Sequence, residues 1–151
     1  MWATLLGVPL DLPDLPCSFC SYLQGEAPYT ILERGPVTSI LVTYEQRGRG
    51  HVLVVPTEHR PTLLDLTDQE ATAVMAATVR SARAIASAFD PAGIAVWQNN
   101  GIPAHQSVPH LHVHVAGTLL SGGTEFGTVP RLSLEETNTI AVTLRPHLAP
   151  P

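Results

Sequence analysis

Two hydrophobic periods organise the chain. Short β-prone runs, Tyr29 to Arg34, Val37 to Glu45, His51 to Val55, Ile94 to Gln98 and His110 to Ala116, read as strands, the last of them in strict period-two alternation. Between the third and fourth lies Ala71 to Ala88, rich in alanine and carrying Val74, Met75, Thr78, Val79 and Ile85 among its interior residues. Thr67 and Glu70 ahead of it have capping-box spacing, and Asp90-Pro91 ends it, so a long helix is predicted. Ser133 and Glu136 repeat the box for a final helix toward Leu144, before Pro146. Gly35-Pro36 is turn punctuation, Gln46 to Gly50 a flexible basic connection, Asn99 to Pro103 a turn or loop, and Thr118 to Pro130 a loop containing Gly122-Gly123. The Pro-rich end is expected to be loose. Strands broken by one long helix predict an α+β domain: a largely antiparallel sheet of about five strands with one long helix and a C-terminal helix. No repeat or linker divides the chain, so residues 1–151 are expected to form one domain.

Composition narrows the class of molecule. With 151 residues, 44% apolar and 14% charged, the chain can bury a core and does not resemble a disordered segment. No apolar run approaches the roughly 20 residues that span a bilayer, and Met1 to Leu10 has no basic region, so a soluble cytoplasmic protein with no membrane partner is expected. The net charge is −5, every basic residue is Arg, and Lys is absent. That leaves no broad cationic surface for a nucleic-acid backbone and excludes a Walker-type phosphate site, which needs its lysine. Cys17 and Cys20 are too few for a secreted disulfide framework; the pair suits a redox couple, metal ligands or two small core residues.

The segment His110-Leu111-His112-Val113-His114-Val115 carries the strongest chemical signal. In an extended strand the three histidines share one face, leaving Leu111, Val113 and Val115 free to enter a core. A single histidine on a strand is ordinarily a half-exposed polar residue. Three in strict alternation point to chemistry, since imidazole serves as nucleophile, proton carrier or metal ligand near neutral pH.

The array Gln106-Ser107-Val108-Pro109-His110-Leu111-His112-Val113-His114-Val115-Ala116, preceded by Asn99 and Gly101, resembles the signature of the histidine-triad family of nucleotide hydrolases and transferases. Gly50-His51-Val52-Leu53-Val54-Val55-Pro56-Thr57-Glu58-His59 resembles that family's glycine-histidine strand, and Cys17-Ser18-Phe19-Cys20 the cysteine pair of many bacterial members. The motifs cover residues 17–117 in the family's order; residues 118–151 form an extension without a motif. The resemblance implies a covalent mechanism in which His112 attacks the α-phosphorus of a nucleotide conjugate. His114 and Gln106 would contact the phosphate or leaving group, with Ser107 donating to an oxygen. Asn99, Thr43 and His51 would lie on the substrate side, His51 beside the triad. Cys17, Cys20, His59 and His110 would hold a structural zinc, and a homodimer is implied. Two departures stand out: Thr43 replaces the acidic residue with which many members accept the ribose hydroxyls, and His105 stands where glycine is usual.

The leading reading is therefore a hydrolase or nucleotidyl transferase acting on a nucleoside phosphoramidate or dinucleoside polyphosphate. The alternative is a nucleotide-binding module that keeps the zinc but not turnover. An open-metal β-barrel enzyme fits poorly, since no carboxylate occurs between His114 and Glu125 and a long helix does not suit a small barrel.

Overall fold

The computed structural model describes residues 10–151. Strands β1 (Ile31–Arg34), β2 (Thr38–Val42), β3 (Arg49–Pro56), β4 (Ile94–Trp97) and β5 (Val113–Gly117) form one sheet in the order β1-β2-β3-β5-β4. All four neighbouring pairs are antiparallel. Three α-helices accompany them: α1 (Ser18–Gln24), α2 (Asp68–Phe89) and α3 (Leu134–Leu144). This is the expected α+β architecture. Both expected capping boxes are formed, Thr67 with Glu70 and Ser133 with Glu136. Helix α1 was not anticipated, because seven residues are too few to display a period.

Period-two alternation sorts the sheet's residues between two layers. On one face Val52 and Val54 join Leu111, Val115 and the α2 residues Val74, Ala77, Ala84 and Ile85, with Ala141 and Leu144 of α3 closing the core. The alanines let α2 approach the sheet closely. On the other face Leu41, Leu53 and Val55 pack under Phe19 of α1. Because Leu53 pairs with His114 and Val52 with Val115, the register puts β5's histidine on the α1 side and its valine under α2. No helix among the described residues is long and apolar enough to cross a membrane.

Three segments differ from expectation. The histidine run enters the sheet only at Val113, because the Leu111 amide is drawn to the Arg60 carbonyl at 2.7 Å instead of to β3. The alternation survives this departure: Leu111 lies in the α2-side core, while His110 and His112 both meet the ring of Phe19. Gln46 to Gly50, expected to be flexible, is a stapled turn. The Gln46 amide donates to the Thr43 and His51 carbonyls at 2.6 and 2.8 Å and accepts from the His51 amide at 2.9 Å. A bulge follows, with Gly50 at φ +63°, where a Cβ would fall 2.6 Å from the Phe89 ring; only glycine fits. The C-terminal end is docked rather than loose. Leu148 packs against the core, Arg80 donates to the Ala149 carbonyl at 2.8 Å, and Ser87 Oγ lies 2.7 Å from His147 Nδ1.

Glu70 links several of these parts. It completes the α2 cap by accepting from the Thr67 amide at 2.9 Å and also takes the Arg60 guanidinium at 2.8–2.9 Å. Arg60 is the residue whose carbonyl receives Leu111. Glu70→Ala should therefore cost about 2 kcal/mol of stability, more than the roughly 1 kcal/mol of Thr67→Ala, since it removes a cap and leaves a half-buried guanidinium unpaired. Urea unfolding of the two variants measures this order.

Candidate active site and metal centre

His112 is held by its own chain. Its Nδ1 lies 2.7 Å from the His110 carbonyl, which can only accept, so Nδ1 carries the proton and Nε2 keeps a lone pair. Phe19 meets the ring edge-on at a centroid distance of 5.1 Å. Burial pushes the His112 pKa below the ordinary imidazole value, only partly offset by the bond to His110, and the neutral, nucleophilic form is favoured. Its exposure is 6%, and that remaining surface opens into a cleft of about 510 Å³.

His114, Ser107 and Asn99 line the same cleft. Trp97, opposite His114 across the β4–β5 pair, stacks on its ring at 4.7 Å with the planes 4° apart. His114 Nδ1 is 3.0 Å from His51 Nε2, and His51 Nδ1 is 3.1 Å from both the Glu45 carbonyl and the Arg47 amide. Burial holds both imidazoles neutral, lowering the pKa of His51 to about 3 and that of His114 to about 2, where the neighbouring His112 adds to the effect. The ring of His114 is thus fixed on one side by stacking and on the other by a hydrogen bond.

Not every expected residue reaches the cleft. Gln106 is 4% exposed, and its amide is fully used: Oε1 accepts from Gly101 N at 2.7 Å, and Nε2 donates to the Pro61 and Val108 carbonyls at 2.7 and 2.9 Å. It braces the loops around the triad and has no polar atom to spare for a phosphate. Thr43 is buried, with its hydroxyl accepting from the Glu45 amide, and is not part of the cleft wall; Glu45 is. His51 supports His114 from behind. Sequence reasoning missed the other wall, Arg47, Trp97, Thr124, Glu125 and Phe126. Trp97 was discoverable from pairing β4 with the histidine strand. Thr124 to Phe126 were not, because their place depends on tertiary bonds between Glu125 N and the Arg47 carbonyl (2.8 Å) and between Arg47 Nη1 and the Glu125 carbonyl (3.2 Å).

On the α1 side of the triad, Cys17, Cys20, His59 and His110 bring one donor atom each within 4.8 Å of one another, and together they could hold a metal ion. Cys17 Sγ and Cys20 Sγ lie 3.3 and 3.6 Å from His110 Nδ1, and Cys20 Sγ lies 3.3 Å from His59 Nδ1. Tetrahedral zinc, with S and N ligands at about 2.3 and 2.0 Å, requires S–N edges of roughly 3.5 Å. The fit extends to the tautomer: His110 Nε2 donates to the Pro56 carbonyl at 2.9 Å, turning the Nδ1 lone pair toward the sulfurs. Burial and the adjacent Cys17 raise the Cys20 pKa to about 12, a shift that a bound cation would oppose.

Comparison with known proteins agrees with this arrangement. A family model described as "HIT domain" matches residues 24–119. The chain is 30% identical over 99 residues to a protein of Schizosaccharomyces pombe named adenosine 5'-monophosphoramidase hnt1, covering 66% of this chain and 71% of that one. A crystal structure of a Zn-bound histidine triad family protein from Mycobacterium smegmatis superposes with a TM-score of 0.74 at 28% identity, over 88% of this chain and 93% of that one. A Hit-like protein from Bartonella henselae shares the fold with a TM-score of 0.83 at 24% identity, over 91% and 100% of the two chains.

The neutral histidines predict acid lability. His51 and His114 have folded pKa values far below 6.5, so below that pH the unfolded chain binds more protons, and stability falls with pH until the folded values are reached. At about 1.4 kcal/mol per pH unit for each group below pH 6.5, the loss between pH 7 and 5 should be roughly 4 kcal/mol. Urea midpoints at the two pH values check this; equal midpoints would refute it.

Proposed function

Since the chain belongs to the HIT domain family, we propose that it cleaves nucleotide conjugates at the α-phosphate through a covalent nucleotidyl–His112 intermediate. The substrate would be a nucleoside phosphoramidate or a dinucleoside polyphosphate, with water or another acceptor taking the nucleotidyl group. One observation carries the reading: the His110 carbonyl fixes the Nδ1 proton and turns a free Nε2 toward a cleft that His114, Ser107 and Asn99 also line. The name of the Schizosaccharomyces pombe relative supports a nucleotide substrate.

In this mechanism Nε2 attacks phosphorus while Nδ1 keeps its proton, so the phosphorylated ring is cationic and leaves readily when water attacks. Ser107 and His114 bind the phosphoryl oxygens, which gain charge in the transition state. The metal we assign to the four-ligand cluster is zinc, in a structural role. With two sulfurs and two nitrogens around it no position remains for water, and its effect on the cleft runs through His110, whose carbonyl orients His112. Free Cys17 and Cys20 suit a reducing compartment such as the cytoplasm. We also assign a homodimer: edge strand β4 exposes Val96, and α2 exposes Met75 and Val79.

A nucleotide-binding module without turnover is the second reading, favoured because neither Thr43 nor Gln106 is among the residues that line the cleft. Rates separate the two. Wild-type protein should release nucleoside monophosphate from a phosphoramidate at least about a thousandfold faster than His112→Ala, and an acid-free quench should trap the label on His112. Equal rates would leave only the binding module. Purified protein should contain one zinc per chain, lost in Cys17→Ser together with a fall in Tm; a metal-free wild type of unchanged Tm would exclude the structural site.

A further inference from the structure

We propose that His105 is the proton donor to the leaving group, a role resting on the α-phosphate chemistry proposed above. Three histidines line the cleft, and they are not equivalent. His112 commits its Nδ1 proton to the His110 carbonyl and its Nε2 to phosphorus, and His114 has one ring nitrogen 3.0 Å from His51 Nε2 and the other on a phosphoryl oxygen, so both rings are already engaged. His105 is exposed to solvent on the cleft wall. In-line displacement sends the leaving group away from His112 Nε2, hence from the cleft floor toward the rim. The solvent-exposed members of the wall are His105, Ser107, Val96, Glu125 and Phe126.

The backbone at His105 is also distinctive. It sits at φ +66°, ψ +28°, the left-handed conformation that glycine adopts without cost, and it closes a short 3-10 turn by donating its amide to the Ile102 carbonyl at 2.8 Å. A side chain there costs about 1 kcal/mol. That strain places an imidazole on the cleft wall one residue before Gln106, whose saturated amide holds the loop in place. The other ionisable groups lining the cleft are Glu45, Arg47 and Glu125, with Arg47 Nη2 3.5 Å from the Glu45 carboxylate.

The steps balance. As His112 Nε2 bonds to phosphorus, the P–N bond to the leaving amine breaks, its electron pair stays on nitrogen, and imidazolium His105 supplies the proton, ending neutral. Water then attacks phosphorus and gives its proton to His105, while the His112 N–P bond breaks and its pair returns to Nε2. Nucleoside monophosphate and a neutral amine are released, and His105 regains its charge.

The test uses two phosphoramidates of one nucleoside, an alkylamide with a strongly basic leaving amine and an arylamide with a weakly basic one. His105→Gly and His105→Gln should lose about a hundredfold in kcat/KM on the alkylamide and at least tenfold less on the arylamide. Both should also lose the alkaline fall of the alkylamide profile. His105→Gly relieves the strained backbone, so its Tm should equal or exceed that of wild type, which separates the role from folding. Equal losses on both substrates, or an unchanged pH profile, would overturn the assignment while leaving His112 chemistry intact. Wild-type rates no higher than those of His112→Ala would overturn both.

Discussion

The contact on which both sites depend is the 2.7 Å hydrogen bond between His112 Nδ1 and the carbonyl of His110. A carbonyl cannot donate, so this bond alone decides which nitrogen of the proposed nucleophile is free. The residue supplying the carbonyl has its side chain in the metal cluster, with Nε2 tied to the Pro56 carbonyl and Nδ1 facing two sulfurs. His110 is fully buried and edge-on to Phe19, which also meets His112. Two residues of one chain segment thus join a closed cluster to an open cleft, and movement at one is transmitted to the other through a single peptide unit.

Keeping so many imidazoles neutral is costly and informative. A histidine buried away from water loses the solvation of its charged form, so its neutral form dominates. His51, His112 and His114 all show this effect. The fold supplies each with a hydrogen-bond partner, so no ring is stranded: His51 with the Glu45–Arg47 turn, His114 with His51, and His112 with His110. His105, by contrast, stands exposed on the cleft wall.

The extension beyond residue 117 belongs to the site as well as to the core. Its loop reaches back to Arg47 through one backbone bond and one from the Arg47 guanidinium and places Thr124 to Phe126 on the cleft wall, while α3 and Leu148 close the core under α2. Phe126, 91% exposed, stands on this loop at the cleft wall.

Much of this was legible in the amino-acid order because it rests on local rules. Period-two and alanine-rich patterns located five strands and the long helix, paired Thr/Ser and Glu residues marked two helix starts, and strict alternation put His110 and His112 on the opposite side from Leu111. The resemblance to the histidine-triad family implied the set Cys17, Cys20, His59 and His110, and these four converge. Tertiary structure alone decided whether a polar side chain faces substrate or backbone. Gln106, inside a motif, and Thr43, at an expected substrate position, spend their polar atoms on nearby backbone, while Trp97, Arg47 and Phe126 lie outside the motifs and form the wall. The reason is that local periodicity sets a side chain's face, whereas its partner is set by bulges, register and contacts between segments remote in sequence.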